Sequence, residues 1–282
     1  MAARKTLREL TIKNNFMFGA VMCDEENCKE FLEMVLQIPI EHVEVSKEKS
    51  IVYHPEYKGI RLDVIAKDEH HTHYDVEMQA IPKAALGKRA RYYHSQIDME
   101  LLLSGEEYVN LPNSYVIFIC DFDPFEKKKY RYTFANQCLE DQELNQQDGS
   151  FSIFLSTRGE NEKEVPEGMV KFLKFVRADL TESEKDFEDA YVKKLQESIR
   201  QVKESREMEE RFMLFQEMLR EERTEGILFG KAEDVVELLE ELGTVSDEVR
   251  EKIMTEKSLE TLGNWLKLAA KAESMEEFLK AM

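Results

Sequence analysis

An aspartate, a glutamate and a glutamine lie in two neighbouring apolar segments between Gly59 and Gln79. Asp63 is in the first segment, and Glu77 and Gln79 are two residues apart in the second. The segments are typical of two β-strands joined by a tight polar turn, and residues at i and i+2 of a strand face the same way. A turn centred on His70 places Asp63 directly opposite Glu77, with their Cβ atoms roughly 4.5–5.5 Å apart.

Two buried carboxylates at this distance repel each other unless a cation lies between them. The pair of Asp63 and Glu77 therefore predicts a divalent metal site for Mg²⁺, with Mn²⁺ as the alternative, because these ions prefer hard oxygen ligands. Such a site can activate water for phosphodiester hydrolysis. The backbone carbonyl of Met78 is a candidate third ligand. Gln79 is a candidate for orienting the attacking water, since an amide is not a strong base. The alternative is a polar strand face with ordinary ion pairs.

A helix is predicted from Ala84 to Leu103 by apolar residues at spacings of three and four. Basic residues crowd its start, and Tyr93 and Gln96 lie three apart on one predicted face. The candidate DNA-binding residues are Lys83, Lys88, Arg89, Arg91, Tyr93 and Gln96. The alternative is a solvated helix start whose Lys and Arg side chains lie along the surface.

The composition limits the class of protein. The chain has 282 residues, 42% of them hydrophobic, which is enough for a real core. Its net charge of −19 means that only local basic clusters can face DNA, because phosphate contacts need positive charge. Four cysteines without zinc-type spacing predict a cytoplasmic protein. The sequence has no apolar run long enough to span a bilayer, so no membrane partner is expected.

The remaining segments predict an α/β domain over residues 1–180 with a mixed sheet flanked by helices. Two amphipathic helices are expected from Phe16 and Glu26, and a strand over Val43–Tyr53 is expected to break at Lys47–Lys49. Further strands are expected at Ser114–Asp121, Tyr130–Phe134 and Phe151–Ser156.

Residues 181–282 show no strand pattern and predict an all-α C-terminal region. Gly226 and Gly230 are expected to flank one of its helices. We expect this region to serve in homo-oligomerisation or in target engagement.

The hairpin resembles the core of the PD-(D/E)XK nucleases, whose pattern is an acid on one strand and acid-x-Lys on the next. Four phrases, NNFMF, HPEYKGIRLDV, SYVIFICDFDPF and YRYTF, resemble the Rpn family of recombination-promoting nucleases and putative transposases over residues 10–180. The resemblance implies a restriction-endonuclease-like fold and a metal-dependent DNA endonuclease linked to recombination. In it, Asp63 and Glu77 take the metal-ligand positions and Gln79 takes that of the lysine.

Two residues depart from the family pattern. Gln79 lacks the positive charge of the lysine, and Asn15 stands where relatives often carry an acid. With the net acidity, these departures support a second hypothesis: a catalytically weak or inactive nuclease-fold protein that acts as an oligomerising interaction module.

Overall fold

A computed structural model describes the backbone of residues 5–51 and 60–282 and the side chains of residues 5–46 and 63–282. The turn residues of His54–Gly59 predict a loop, and this loop lies outside the described part of the chain. The strands are β1 (Val43–Ile51), β2 (Ile60–Asp68), β3 (His73–Gln79), β4 (Ser114–Cys120), β5 (Arg131–Phe134) and β6 (Ser150–Ser156). The α-helices are α1 (Asn15–Met22), α2 (Glu25–Leu36), α3 (Leu86–Leu101), α4 (Glu167–Arg177), α5 (Ala190–Glu204), α6 (Arg206–Leu242), α7 (Asp247–Met254), α8 (Leu259–Ala269) and α9 (Met275–Ala281).

The six strands form one mixed sheet in the order β1-β2-β3-β4-β6-β5. β1, β2 and β3 are antiparallel neighbours, β4 is parallel to both β3 and β6, and β5 is antiparallel to β6. A short turn suffices for the antiparallel β2–β3 pair, whereas the parallel β3–β4 pair needs the crossover that α3 provides. β1 runs through Lys47–Lys49 without the predicted break, because its backbone pairs with β2 along that stretch.

The helix α3 covers one face of the sheet. Its apolar residues form a core with residues from β4 and β6: Leu86, Ala90, Tyr93, Ile97, Val116, Phe118, Cys120 and Phe154. The rings of Phe118 and Phe154 stack with their centroids 5.3 Å apart. Because strand side chains alternate, Val64, Val76 and Ile117 point to the opposite face, where they are fully buried.

The helix α5 contacts α1, α2 and α4, and α2 also contacts α1 and α4. On the sheet, α1 contacts β2 and α2 contacts β1. The side chain of Asn14 caps α1 by accepting hydrogen bonds from the N–H groups of Phe16 and Met17. Tyr191 of α5 donates a hydrogen bond to the carbonyl of Asn27 in α2, at 2.9 Å. The packing of α5 on these helices explains why the first compact unit extends over Met1–Met208, beyond the boundary predicted at residue 180.

The second compact unit, Glu209–Met282, is helical, as the sequence predicts. Val235 and Leu239 of α6 are buried with Ile253, Leu262 and Trp265 from α7 and α8. These contacts give the C-terminal region its own hydrophobic core.

Gly226 and Gly230 do not flank a helix, because α6 runs through both of them. An isolated glycine costs a helix only about 1 kcal/mol relative to alanine, which helix-forming neighbours on both sides can offset. The prediction that these glycines mark helix ends is therefore wrong. In the described residues, each helix is either too short or too polar to cross a membrane.

Candidate active site

The β2–β3 hairpin has the predicted register. Val64 pairs with Val76 at the last paired position of the two strands. Asp63 and Glu77 are the next residues along β2 and β3, and their side chains rather than their backbones meet across the strands. The backbone N–H of Asp63 donates to Oε1 of Glu77 at 3.0 Å, and the N–H of Met78 donates to Oδ2 of Asp63 at 3.1 Å. Each carboxylate is thus held by the main chain of the other strand, and the two negative groups converge at one point of the hairpin.

Glu77 lies in a buried, negatively charged setting. Its side chain is only 3% exposed. Burial and the neighbouring charge of Asp63 raise the pKa of Glu77 to about 8, while the positive charge of Arg89 works against this rise. The carboxylate therefore needs a cation nearby in order to stay ionised.

Arg89 of α3 is the cation that contacts Glu77. Its Nη2 donates to Oε2 of Glu77 at 2.6 Å, its Nη1 to Oε1 of Gln79 at 2.8 Å, and its Nε to the hydroxyl of Tyr93 at 2.6 Å. Its guanidinium carbon also lies 4.9 Å from the ring centre of Tyr93 and 5.4 Å from that of Phe118. Arg89 was expected at the surface as a phosphate ligand, and the structure brings it into the site.

Gln79 is bonded at both ends of its amide. Its Oε1 accepts from Arg89, and its Nε2 donates to the carbonyl of Ile81 at 2.6 Å. Gln79 is only 5% exposed. The predicted contact between Gln79 and an attacking water would have to form beside these two bonds.

A third carboxylate, Asp75, was not anticipated. It is fully buried, paired with Ile65 on β2 and Val116 on β4. Within the part of the chain that the structure describes, its carboxylate oxygens accept no hydrogen bond from an N–H or hydroxyl group, and the carboxyl group beside them is that of Glu77. Burial first, and then the charges of Glu77 and Asp63, raise the pKa of Asp75 well above its usual value. The two-residue spacing of Asp75, Glu77 and Gln79 on one strand face was the signal available in the sequence.

Asn15 joins the site from α1. Its Nδ2 donates to Oδ2 of Asp63 at 3.4 Å. Asn15 therefore contacts the carboxylate predicted to bind metal, and as an amide it adds no further negative charge.

The other basic and polar residues of the α3 region fall into two groups. Lys83, Lys88 and Arg91 are exposed, and the charge of Lys83 acts to lower the pKa of Glu77. Tyr93 and Gln96 are buried, at 5% and 8% exposure. The buried positions favour a role in holding α3 and Arg89, whereas the exposed cations remain candidates for DNA contacts.

A charged cluster that the sequence did not predict lies beside Gln79 at the ends of β4 and β6. The backbone N–H of Asp121 donates to the carbonyl of Gln79 at 3.1 Å. The Asp121 carboxylate accepts from Lys13 at 3.1 Å, from the Thr157 hydroxyl at 2.9 Å and from Arg158 at 3.3 Å. Lys13 and Arg158 come from distant parts of the sequence, and only the sheet edge brings them near the site.

A family model described as a PD-(D/E)XK nuclease family transposase matches residues 12–264. The chain belongs to the PD-(D/E)XK nuclease family of transposases. This finding confirms the family expected from the hairpin and its flanking phrases, and the mixed sheet flanked by helices is consistent with that fold. Comparisons with curated proteins and with solved structures gave no match.

The donor set of this PD-(D/E)XK family member fits a hard divalent ion. No group of three or more His, Cys, Asp or Glu side chains suited to a metal occurs in the described residues. Mg²⁺ does not require one, because it commonly binds through one or two carboxylates and completes its shell with water and substrate phosphates. Asp63 and Glu77 supply two carboxylates, and the main chain of Met78 lies against Asp63.

Proposed function

We propose that the protein is a metal-dependent DNA endonuclease acting in recombination or transposition, in which Asp63 and Glu77 hold Mg²⁺ or Mn²⁺. The observation that carries the proposal is the convergence of the two carboxylates, each accepting a backbone N–H from the other strand. Two acids that the main chain holds close together form a preorganised site for a cation, because neither side chain has to move to meet it.

A bound divalent ion would supply Lewis acidity and lower the pKa of a water molecule. In this proposal the chain's own residues bind and orient: Asp63 and Glu77 ligate, the carbonyl of Met78 adds an oxygen, and Asn15 holds Asp63. The exposed cations Lys83, Lys88 and Arg91 are proposed to contact DNA phosphates near the start of α3. These three cations would give DNA a local positive surface on a chain whose net charge is −19.

The test is plasmid nicking by Asp63→Asn and Glu77→Gln variants, which keep side-chain shape and remove charge. Both should lose cleavage with Mg²⁺ and with Mn²⁺, because an amide is a poor ligand for a hard cation. The assay is best run near pH 8.5, since burial raises the pKa of Glu77 to about 8. Asp234→Asn, at an exposed position of α6, is the matched control and should cleave like the wild type. Full activity in Asp63→Asn would refute the proposed metal site.

A second candidate function is a non-catalytic interaction protein, favoured by the contact between Arg89 and Glu77. The guanidinium already contacts the Glu77 carboxylate without any metal, at 2.6 Å. In this case the exposed apolar residues of α6, including Met213, Leu214 and Phe229, are proposed to mediate homo-oligomerisation. Calorimetry with Mn²⁺ separates the two functions. Saturable binding that disappears in Glu77→Gln would count against the non-catalytic protein.

A further inference from the structure

Arg89 is fixed in place from several directions. Three of its N–H groups are bonded to side chains, one on each nitrogen, and its guanidinium lies near the rings of Tyr93 and Phe118. A flexible arginine on a surface helix has none of these constraints. The guanidinium is therefore preorganised before any ligand arrives, which reduces the entropy lost on binding.

The same guanidinium keeps unused hydrogen-bonding capacity. Arginine carries five N–H donors. The three bonds leave one N–H on each terminal nitrogen, and these two have no partner among the residues that the structure describes. The Arg89 side chain is 27% exposed, so part of it is open to solvent. Two donors on neighbouring nitrogens match the oxygens of a phosphate group.

Gln79 helps to fix the orientation of the Arg89 guanidinium. The carbonyl of Ile81 accepts a hydrogen bond, so it requires the NH₂ end of the Gln79 amide. The amide oxygen must then face Arg89, and the reverse orientation would set NH₂ against guanidinium and oxygen against oxygen. A lysine at this position would bring an ammonium against the guanidinium. The glutamine is therefore suited to hold Arg89, and the positive charge of the site comes from the helix.

We propose that Arg89 binds the scissile phosphate and that Gln79 is the residue that positions it; this inference rests on the proposed nuclease function. Arg89 contacts Glu77, one of the two carboxylates that would hold the metal, so a DNA phosphate bound by its guanidinium would lie next to the metal site. Gln79 acts through Arg89 and is a positioning residue.

The first experiment measures DNA binding in EDTA, where metal-dependent cleavage is absent. Fluorescence anisotropy with a labelled duplex over a range of NaCl concentrations gives the slope of log Kd against log salt. Each phosphate contact contributes about 0.9 to this slope. Arg89→Gln should lower it by about that amount. Arg200→Gln, which removes an arginine with an exposed ion pair on α5, is the matched control and should leave it unchanged.

The second experiment moves the positive charge from position 89 to position 79. Arg89→Gln should reduce nicking by about 10²–10³-fold, the usual loss for a group that stabilises developing charge. Gln79→Lys alone should also lose activity and thermal stability, because it sets two cations together. The double variant Gln79→Lys/Arg89→Gln restores one cation beside one amide and should recover most of the activity lost in Arg89→Gln. A merely structural role for Arg89 predicts recovery of thermal stability without recovery of cleavage.

Every outcome is informative. The inference is overturned if folded Arg89→Gln keeps the wild-type salt slope. It is also overturned if the double variant is stable but no more active than Arg89→Gln. In both cases, cleavage by the wild type still supports the nuclease function. A wild-type protein that neither binds Mn²⁺ nor nicks DNA overturns the nuclease function, and the inference with it. If Arg89→Gln does not fold, Arg89→Lys and Gln79→Met replace it. Arg89→Lys keeps the positive charge but loses the guanidinium group. Gln79→Met removes the hydrogen bond that orients Arg89. Both variants should cleave more slowly than wild type.

Discussion

The turn end of the β2–β3 hairpin and its site end each bury an aspartate. At the turn end, the carboxylate of Asp68 accepts from the N–H groups of His70 and Thr72, at 2.9 and 2.8 Å, and from the hydroxyl of Tyr74 at 2.7 Å. Towards the site end, Asp75 is buried next to the Glu77 carboxyl and accepts no hydrogen bond from an N–H or hydroxyl group among the described residues. Within one hairpin, the acid at the turn is fully bonded and the acid beside the site is not.

The difference in hydrogen bonding means that Asp68 stabilises the fold, whereas Asp75 costs stability. A buried carboxylate with several donors stabilises the turn that supplies them, whereas one without donors pays its desolvation cost in full. At the site end, Asp63, Asp75 and Glu77 also repel one another. Buried acids with raised pKa values cluster at functional sites more often than elsewhere in a protein.

The largest expected effect comes from removing the cation at the site end. Arg89→Met leaves Glu77 buried without its partner and should cost about 3–5 kcal/mol in the free energy of unfolding by urea. Lys174→Met, which breaks the exposed ion pair with Glu162, is the control and should cost less than about 1 kcal/mol. Adding Glu77→Gln to Arg89→Met should recover much of the loss. Equal losses in Arg89→Met and Lys174→Met would show that Glu77 does not depend on Arg89.

At the turn end, Asp68→Ala should cost about 2–3 kcal/mol, because it leaves the buried N–H of Thr72 and the hydroxyl of Tyr74 without an acceptor. The measurement is again urea unfolding at neutral pH. Asp68→Asn keeps one acceptor oxygen and should cost less. A loss below about 0.5 kcal/mol in Asp68→Ala would remove the contrast with Asp75.

The buried side chain of His94 makes the stability of the protein depend on pH in the acid range. His94 of α3 lies 2.8 Å from the hydroxyl of Ser114 and 3.2 Å from that of Ser152, and burial lowers its pKa to about 4. The unfolded chain binds a proton near pH 6.5 and the folded protein does not, so stability falls as the pH drops from 6.5 towards 4. Between pH 7 and pH 5 this contribution amounts to about 2 kcal/mol.

His94→Gln removes this titration and keeps a hydrogen-bonding side chain. The difference between its stability and that of the wild type should therefore shrink or reverse as the pH falls from 7 to 5. Parallel pH profiles for the two proteins would contradict a lowered pKa at His94.

The smallest effect has the opposite sign. Asp75→Val should raise stability by about 1–2 kcal/mol, because an apolar strand residue replaces an unpartnered carboxyl between Ile65 and Val116. Since the pKa of Asp75 is raised in the folded protein, the gain should grow as the pH rises above the usual aspartate range. A loss of stability like that of Asp68→Ala would mean that Asp75 has a bonding partner. Loss of nicking in a more stable Asp75→Val protein would assign Asp75 to the site.

The hairpin and its register were predictable because they depend on local rules. Two apolar segments with a short polar turn can pair in few ways, and the two-residue period of a strand places Asp63 opposite Glu77. The same period would have indicated Asp75. Helix α3 was predictable from its spacing of apolar residues, and the mixed sheet followed from the order of strands and helices.

The amino-acid sequence alone thus determined the strands, the facing acids and the family to which the chain belongs. Tertiary structure decided which cation meets Glu77, because the loop after β3 does not specify the rotation of α3 that turns Arg89 inward and leaves Lys88 and Arg91 outside. It also decided the surroundings of Gln79, whose partner Arg89 lies on a helix, and those of Asp121, whose partners Lys13 and Arg158 come from distant segments. Contacts of this kind depend on how the helices pack on the sheet, and local sequence patterns do not predict that packing.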